Sequence, residues 1–223
     1  MKEINFMDAK FKVRKHGATL VRYNDDKHEY ICPESILGVP VVKIGTEAFY
    51  QNKFLQSVII PHSISEIDDY AFASCSSLIN ITQKGTQNFV DTIRLGEAVF
   101  HNCQKIQNIN FPRLIEFQFG SDNHFVNCVN LEQLSIIAAE YIGNCSFRNC
   151  IKLNTLMLDG EICFNHATFK SASNVDNFYV FGKVVNVEDK EMLDFISNKT
   201  LYIHPNSELQ ELAYNGYAVK IIE

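Results

Sequence analysis

A phenylalanine returns every 22–28 residues along the chain, and this repeat constrains the fold more than any other feature. The anchor phenylalanines are Phe49, Phe72, Phe100, Phe125, Phe147 and Phe169. Related segments end at these anchors: IGTEAF, IDDYAF, LGEAVF, a less regular SDNHF, IGNCSF and FNHATF. A period of this length is typical of solenoids, in which each coil buries its apolar side against its neighbours.

The residues that follow each anchor indicate a strand. Six, nine and eleven residues after the anchor the side chain is apolar, with Gln83 as the single exception. Positions nine and eleven are two residues apart, which is the spacing of side chains on the buried face of a strand. Because one short strand returns in each unit, the strands are predicted to form a parallel sheet along the solenoid. One unit has too few apolar side chains to offset its own ordering entropy, so units must stack and both ends must be capped.

The unit resembles that of the BspA-like leucine-rich repeats, which reads approximately I-G-x-x-A-F-x-x-C-x-x-L-x-x-I-x-I-P. Three segments carry the resemblance most clearly: IGTEAFYQNKFLQSVIIP (44–61), IDDYAFASCSSLINIT (67–82) and LGEAVFHNCQKIQNINFP (95–112). The resemblance implies an α/β solenoid, a right-handed leucine-rich-repeat superhelix with a parallel β-sheet face. Short helical turns are expected on the opposite side, around the Ala-Phe positions. The fourth unit departs from the pattern, since Gly120 stands where isoleucine is expected.

The chain is interpreted as a single leucine-rich-repeat domain over residues 1–223. Residues 1–43 form the N-terminal cap, and residues 44–187 hold about six repeats with an insertion at 83–94 that is expected to bulge outward. Residues 188–223 form a degenerate repeat, through Phe195 and Leu201, and a C-terminal cap. In that cap Ser207 is predicted to begin a helix, Gly216 to end it, and Tyr217–Ile222 to form a last strand over the open edge.

Charge and hydropathy disfavour several classes of partner. The formal net charge is −6 and the pI is about 5.6, whereas phosphate binding needs clustered lysine and arginine. A nucleic-acid binder and an electrostatic membrane binder are therefore disfavoured, and no apolar run has the length of a membrane span. No signal-peptide core precedes the first repeat, so the sequence predicts a cytoplasmic location. The family resemblance implies the cell surface or secretion instead.

The seven cysteines contain no CxxC pair and are interpreted as free thiols. Four of them form a column three residues after the anchors: Cys75, Cys103, Cys128 and Cys150. A metal stack or redox ladder is one interpretation of the column. The favoured alternative is a small, mildly polar residue at a turn, because Asn52 and Ala172 occupy the same position. Cys163 and His166 lie three residues apart, but no four-ligand zinc spacing is present, so neither metal nor cofactor is predicted.

No catalytic arrangement is predicted either. The seven histidines do not cluster and are interpreted as turn or surface residues. The adjacent carboxylates Asp25-Asp26 and Asp68-Asp69 point apart on most backbones, which disfavours a catalytic dyad. No phosphate-binding loop or nucleophile motif occurs.

Positions eight and ten after each anchor should point away from the core, and they are nearly uncharged. The candidate binding residues on this strand face are Ile59, Asn80, Asn110, Ser135, Met157 and Tyr179. Tyr179 is the expected anchor of an interface, and Phe89 and Phe181 are further exposed aromatic candidates. The alternative is that a solvated sheet face is simply polar.

These features predict a non-enzymatic module that binds a macromolecular, protein partner through the strand face. The family resemblance implies an adhesin-like or host-interacting surface or secreted protein, and the missing signal implies an intracellular scaffold or an effector secreted by an unconventional route. The alternative from a different functional class is a metal- or thiol-dependent protein, in which the cysteine column would supply the reactive or ligating groups. The chain is expected to be a monomer, with self-association through an edge or the insertion as a third alternative.

Overall fold

In the computed structural model the chain winds into a solenoid built from strands and turns. The structure describes residues 1–85, 92–111, 114–117, 120–137, 142–159, 161–162, 167–172, 175–181, 183–184, 194–195, 197, 199–203 and 218–221. Phe89, Cys163, His166, Ser207 and Gly216 lie outside the described residues, so the expectations for them stay predictions.

The predicted strand face is divided into two parallel sheets. Sheet II contains β4 (Glu29–Ile31), β7 (Ser57–Ile60), β9 (Asn80–Gln83) and β11 (Asn108–Asn110). Sheet III contains β13 (Gln133–Ile137), β14 (Thr155–Asp159), β16 (Asn177–Val180), β18 (Thr200–Ile203) and β19 (Ala218–Ile221). The last of these strands pairs in parallel with β18, as expected for the end of the cap.

A further sheet, absent from the prediction, forms from the residues that precede the anchors. Sheet I contains β1 (Lys2–Phe6), β2 (Ala9–Arg14), β3 (Gly17–Tyr23), β6 (Val39–Ile44), β8 (Glu66–Ile67), β10 (Thr92–Leu95) and β12 (Leu114–Phe117), with β5 (Ser35–Ile36) paired to β6. Later coils contribute sheet IV, from β15 (Glu161–Ile162) and β17 (Lys183–Val184). The N-terminal hairpins are antiparallel and the repeat strands are parallel. The predicted insertion therefore begins and ends in strands, since Gln83 belongs to β9 and Thr92 to β10.

The expected helical turns around the Ala-Phe positions are tight turns instead. In the first unit Ala48 N–H donates to Gly45, and Asn52 N–H donates to Phe49. Each anchor is flanked two residues before and two residues after by a residue with positive φ. These residues are Glu47, Gln51, Tyr70, Ser74, Ala98, Asn102, Asn123, Asn127, Cys145, Asn149, Ala167 and Ser171. Such residues interrupt any right-handed helical run.

The left-handed residues direct backbone N–H groups toward the next coil. Glu47, Phe49 and Gln51 donate to the carbonyls of residues 69, 71 and 73 at 3.0, 2.8 and 2.9 Å. The next turn repeats this pattern toward residues 97, 99 and 101. A helix would have bonded these N–H groups internally, so the turn geometry is what lets successive coils stack.

The anchor phenylalanines form one continuous stack inside the coils. Successive ring centroids from Phe49 to Phe169 lie 4.8, 5.5, 5.7, 5.8 and 5.5 Å apart, and the planes differ by at most 14°. Tyr23 and Tyr30 of the N-terminal cap pack on Phe49, and Phe195 stacks on Phe169 at 4.1 Å. The predicted anchors are therefore confirmed as the core of the repeat, and the degenerate unit extends it. The right hand of the superhelix stays a prediction.

The strand face is interrupted at the fourth unit. Among the described residues no ladder joins β11 to β13. Phe117 pairs with Leu95, yet it lies eight residues before its anchor whereas Leu95 lies five before its own. This extra length changes the path of the fourth coil, and Ile109 and Phe111 of the preceding strand stay only partly buried.

Gln83, the exception in the apolar columns, has a structural reason. Its side chain is 3% exposed, and Nε2 donates to the carbonyls of Pro61, His62 and Ile64 at 3.4, 3.4 and 2.7 Å. The amide thus holds the loop between β7 and β8.

We expect Gln83→Leu to lower the free energy of unfolding by about 1–2 kcal/mol, although leucine suits the column, because the two N–H groups of the amide no longer satisfy the three buried loop carbonyls that they share. Urea unfolding would measure the change. Thr82→Leu, at the neighbouring outward position, is the control and should shift stability by less than about 0.5 kcal/mol. An unchanged midpoint for Gln83→Leu would show that the amide contributes nothing.

His124 is a second exception: it lies in a turn, as expected of the histidines, but it is fully buried and not on the surface. Its side chain is 0% exposed, its ring stacks on Phe117 at 3.9 Å, and Nε2 lies 3.1 Å from the Ser121 hydroxyl. Burial lowers the pKa of His124 to about 3, because the charged imidazolium would lose its hydration. The equivalent residues of the first two units are Ala48 and Ala71.

We expect acid to destabilise the protein through His124. Below its ordinary pKa near 6.5 the unfolded chain binds a proton that the native state does not, so stability falls as pH falls, by about 2 kcal/mol at pH 5. His124→Ala should flatten the dependence of the urea midpoint on pH between 7 and 5, whereas the exposed His16→Ala should leave it unchanged. Equal slopes for wild type and His124→Ala would contradict this account.

Candidate functional site

The outward side chains of sheets II and III form a surface that we call the uncharged face. The repeat strands alternate buried and outward residues, and the positions eight and ten after each anchor, with Thr200 and Tyr202 of the seventh unit, lie outward. These positions carry no charge, although the five-residue strand β14 ends two residues beyond Met157 in a charged residue, Asp159, in register with Ile137 of β13. The uncharged outward positions are Ser57, Ile59, Asn80, Thr82, Asn108, Asn110, Gln133, Ser135, Thr155, Met157, Asn177, Tyr179, Thr200 and Tyr202.

All six candidate residues lie on the uncharged face, but the structure places them on different sheets. Ile59, Asn80 and Asn110 belong to sheet II, and Ser135, Met157 and Tyr179 belong to sheet III. Asn110 and Ser135 are exposed, and the other four are half-buried. The interruption between β11 and β13 separates the two groups, so they form two neighbouring patches. Their role in binding stays a prediction.

The patch on sheet III is aromatic. We call Met157, Tyr179, Phe181 and Tyr202 the aromatic stripe. Met157 is the cross-strand neighbour of Tyr179, whose ring lies 4.7 Å from Tyr202 and 6.3 Å from Phe181. Lys220 places its ammonium 5.5 Å from the centre of the Tyr202 ring, which is a cation–π distance. The stripe is therefore a contiguous row of large, partly exposed side chains.

Two outward residues of sheets II and III escaped the sequence analysis, one on the uncharged face and one beside it. Tyr202 lies in the degenerate seventh unit, which has no anchor at the regular spacing, although the buried Leu201 and Ile203 on either side indicate its outward direction. Ile31 lies in the N-terminal cap, is 46% exposed and pairs with Ile59. Both residues could have been predicted by continuing the alternation of buried and outward positions into the N-terminal cap and the degenerate seventh unit.

Sheet I presents a different outer surface, a row of cross-strand neighbours that we call the charged row. Its members are Glu3, Lys12, Thr19, Lys43, Glu66, Arg94 and Glu116. Lys43 lies 3.2 Å from Glu66 and 2.8 Å from Asp68, and Arg94 lies 3.7 Å from Glu116. Opposite charges thus neutralise one another across the strands, each pair adding little to stability at such exposure.

The cysteine column is an internal hydrogen-bond ladder. The thiols of Cys75, Cys103, Cys128 and Cys150 are buried, and each lies 3.0 to 3.1 Å from the carbonyl of the anchor phenylalanine in the preceding unit. Burial raises the pKa of Cys75 and Cys150 to about 12, and it raises the pKa of Cys103 and Cys128 well above the ordinary thiol value. Protonated, enclosed thiols are poor nucleophiles and poor metal ligands. Within the described ranges, no three histidine, cysteine or acidic side chains lie close enough to hold a metal ion.

We expect the four column thiols to resist alkylation in the native protein at pH 8, because their thiolate forms are scarce and shielded. Iodoacetamide labelling followed by peptide mass spectrometry measures this directly. The half-buried Cys145 serves as the internal comparison and should label faster, and urea should expose all seven cysteines. Rapid native labelling of Cys103 or Cys128 would contradict the ladder.

Comparison with known proteins places these features in context. The model of the BspA type leucine-rich repeat region, with six copies, matches residues 33–115 and 86–191. No functionally curated protein shows significant similarity to the chain. The described residues hold no helix of the length and apolarity needed to cross a membrane.

Several bacterial crystal structures share the fold. A leucine-rich cell surface protein from Faecalibacterium prausnitzii superposes with a TM-score of 0.68 at 21% identity, covering 93% of this chain and 55% of that one. A leucine-rich repeat protein from T. pallidum gives 0.63 at 20% identity, covering 89% and 98%. A leucine-rich repeat protein from Eubacterium ventriosum gives 0.63 at 17% identity, covering 79% and 45%. The chain thus spans about half the length of the first and third of these proteins.

Proposed function

Because the chain belongs to the BspA type leucine-rich repeat family, we propose that it is a non-enzymatic module that binds a protein partner through the uncharged face. The difference between its two outer sheet surfaces carries this proposal. The charged row pairs opposite charges within itself, whereas the uncharged face leaves aromatic and apolar side chains half-exposed to solvent. Tyrosine-rich, charge-depleted surfaces are typical of interface cores.

The aromatic stripe is the proposed centre of the interface. Tyr179 lies in its middle, between Met157 and Tyr202 on the neighbouring strands, and Phe181 lies beside it. Large side chains surrounded by uncharged polar groups match the arrangement of binding hot spots, in which a polar rim excludes water from an aromatic centre. The proposed role of Ile59, Asn80, Asn110 and Ser135 is to supply that rim and a second contact.

We expect Tyr179→Ala to weaken partner binding by about 30-fold, the effect of losing a hot spot of about 2 kcal/mol. The tagged wild type, Tyr179→Ala and Arg94→Ala serve as baits in lysate and medium of the source cell, with thermal melts to show that all three fold. A protein retained by wild type and by Arg94→Ala but lost with Tyr179→Ala supports the proposal. A partner lost only with Arg94→Ala would assign binding to the charged row.

The location of the module decides between an adhesin-like surface role and an intracellular scaffold. The surface role is supported by the similar structure from F. prausnitzii, which is described as a cell surface protein. Protease treatment of intact cells tests it: cleavage of the protein, or its recovery from the medium, favours a surface or secreted role. Protection within the cytoplasmic fraction favours the scaffold.

A further inference from the structure

We propose that the aromatic stripe binds a proline-rich segment of the partner in the polyproline II conformation, laid along the solenoid axis. This inference rests on the proposed function and names the chemistry of the partner at the same face. It follows from three properties of sheet III: the spacing of its side-chain rows, its hydrogen-bonding groups and its charge.

The spacing of the stripe matches that of a polyproline II helix. Tyr179 and Tyr202 lie on adjacent strands with ring centroids 4.7 Å apart, close to the spacing of strands in a sheet. Met157 and Tyr202 lie on β14 and β18, one strand to either side of Tyr179, and are therefore separated by about 9.5 Å. Polyproline II rises about 3.1 Å per residue with three residues per turn, so residues i and i+3 lie about 9.3 Å apart. Every third residue of such a ligand would meet every second row of the stripe.

The hydrogen-bonding groups of the face suit a ligand that only accepts. A polyproline II segment has no internal hydrogen bonds, and proline has no backbone N–H, so the segment presents carbonyl oxygens alone. Around the stripe stand donors, namely the phenol groups of Tyr179 and Tyr202, the amide of Asn177 and the ammonium of Lys220. The two tyrosine rings are stacked at 21° to each other, so their π faces are turned toward one another and their rims carry the electropositive ring hydrogens.

Charge and entropy favour the same ligand. Positions eight and ten after the anchors carry no charge, so an ionic segment laid along them would lose hydration without gaining a charged partner in that row; Lys220 and Asp159 stand at the margins of the stripe. A proline-rich segment is uncharged and already holds its bound conformation in solution, so little conformational entropy is lost on binding. Aromatic-lined surfaces bind such segments in other folds for these reasons.

The test uses fluorescein-labelled decaproline as the probe and a glycine-serine peptide of equal length as its control. Fluorescence anisotropy should show that decaproline binds with a Kd below about 1 mM, while the glycine-serine peptide binds at least about tenfold more weakly. Tyr202→Ala and Met157→Ala should each weaken decaproline binding by about tenfold or more. Phe54→Ala, which removes an aromatic side chain that is 51% exposed and lies outside the strands, is the matched control and should leave the affinity unchanged. Thermal melts confirm that the variants fold.

Two results would overturn the inference: decaproline binding no tighter than the glycine-serine peptide, or affinity unchanged in Tyr202→Ala. Competition separates this inference from the proposed function. Displacement of the captured partner by decaproline supports both. A partner that depends on Tyr179 but does not respond to decaproline leaves the binding face in place and overturns the polyproline assignment. Capture that is indifferent to Tyr179→Ala overturns both.

Discussion

Hydrogen bonds between consecutive turns determine the geometry of the whole molecule. Each anchor phenylalanine has a left-handed residue on either side of it. These residues direct every second backbone N–H group toward the next coil, and the resulting hydrogen bonds set the distance between coils. At that distance the anchor rings must stack, and a thiol three residues after the anchor reaches the carbonyl of the preceding phenylalanine. Each left-handed residue other than glycine costs about 1 kcal/mol, and the hydrogen bonds between coils offset this cost.

The same stacking brings equivalent residues of each unit side by side, so a single position in the repeat becomes a row on the surface. One row alternates Lys43, Glu66, Arg94 and Glu116 and neutralises itself. Another collects Met157, Tyr179 and Tyr202 and remains partly exposed. Neither surface is a property of one unit, because a lone tyrosine between polar neighbours would have little binding value. The function of the chain therefore depends on how the repeats vary.

Much of this architecture could be read from the sequence, and the exceptions have identifiable physical causes. The columns of Leu55, Val58 and Ile60 and their equivalents predicted the repeat strands, because alternation is visible over four residues. The strands of sheet I that precede the anchors were missed because strands such as Glu66–Ile67 are too short to alternate. The tight turns were expected to be short helical turns because none of the left-handed residues that flank the anchors is glycine, which is the usual signal. The burial of His124 was missed because one polar residue in a buried column looks like a surface residue.

For the candidate site, the sequence predicted the outward direction of all six residues but not their grouping. That grouping depends on the path of the fourth coil, where Phe117 lies three residues farther from its anchor than Leu95 does. An alignment of the repeats on their anchors does not reveal this three-residue difference, because the anchors before and after it keep their places in the stack. The aromatic stripe extends into the degenerate unit, where no anchor lies at the regular spacing from which outward positions could be predicted.

The interruption between β11 and β13 also has a mechanical meaning. Along most of the solenoid, adjacent coils are linked on both sides of the core, by strand ladders and by turn hydrogen bonds. At the fourth unit the strand link of sheets II and III is absent among the described residues, while Phe100 still donates to residue 124 and still stacks on Phe125. The β10–β12 ladder of sheet I also joins the two coils at this junction, so bending of the solenoid there would open the side of the uncharged face and leave the other sides linked.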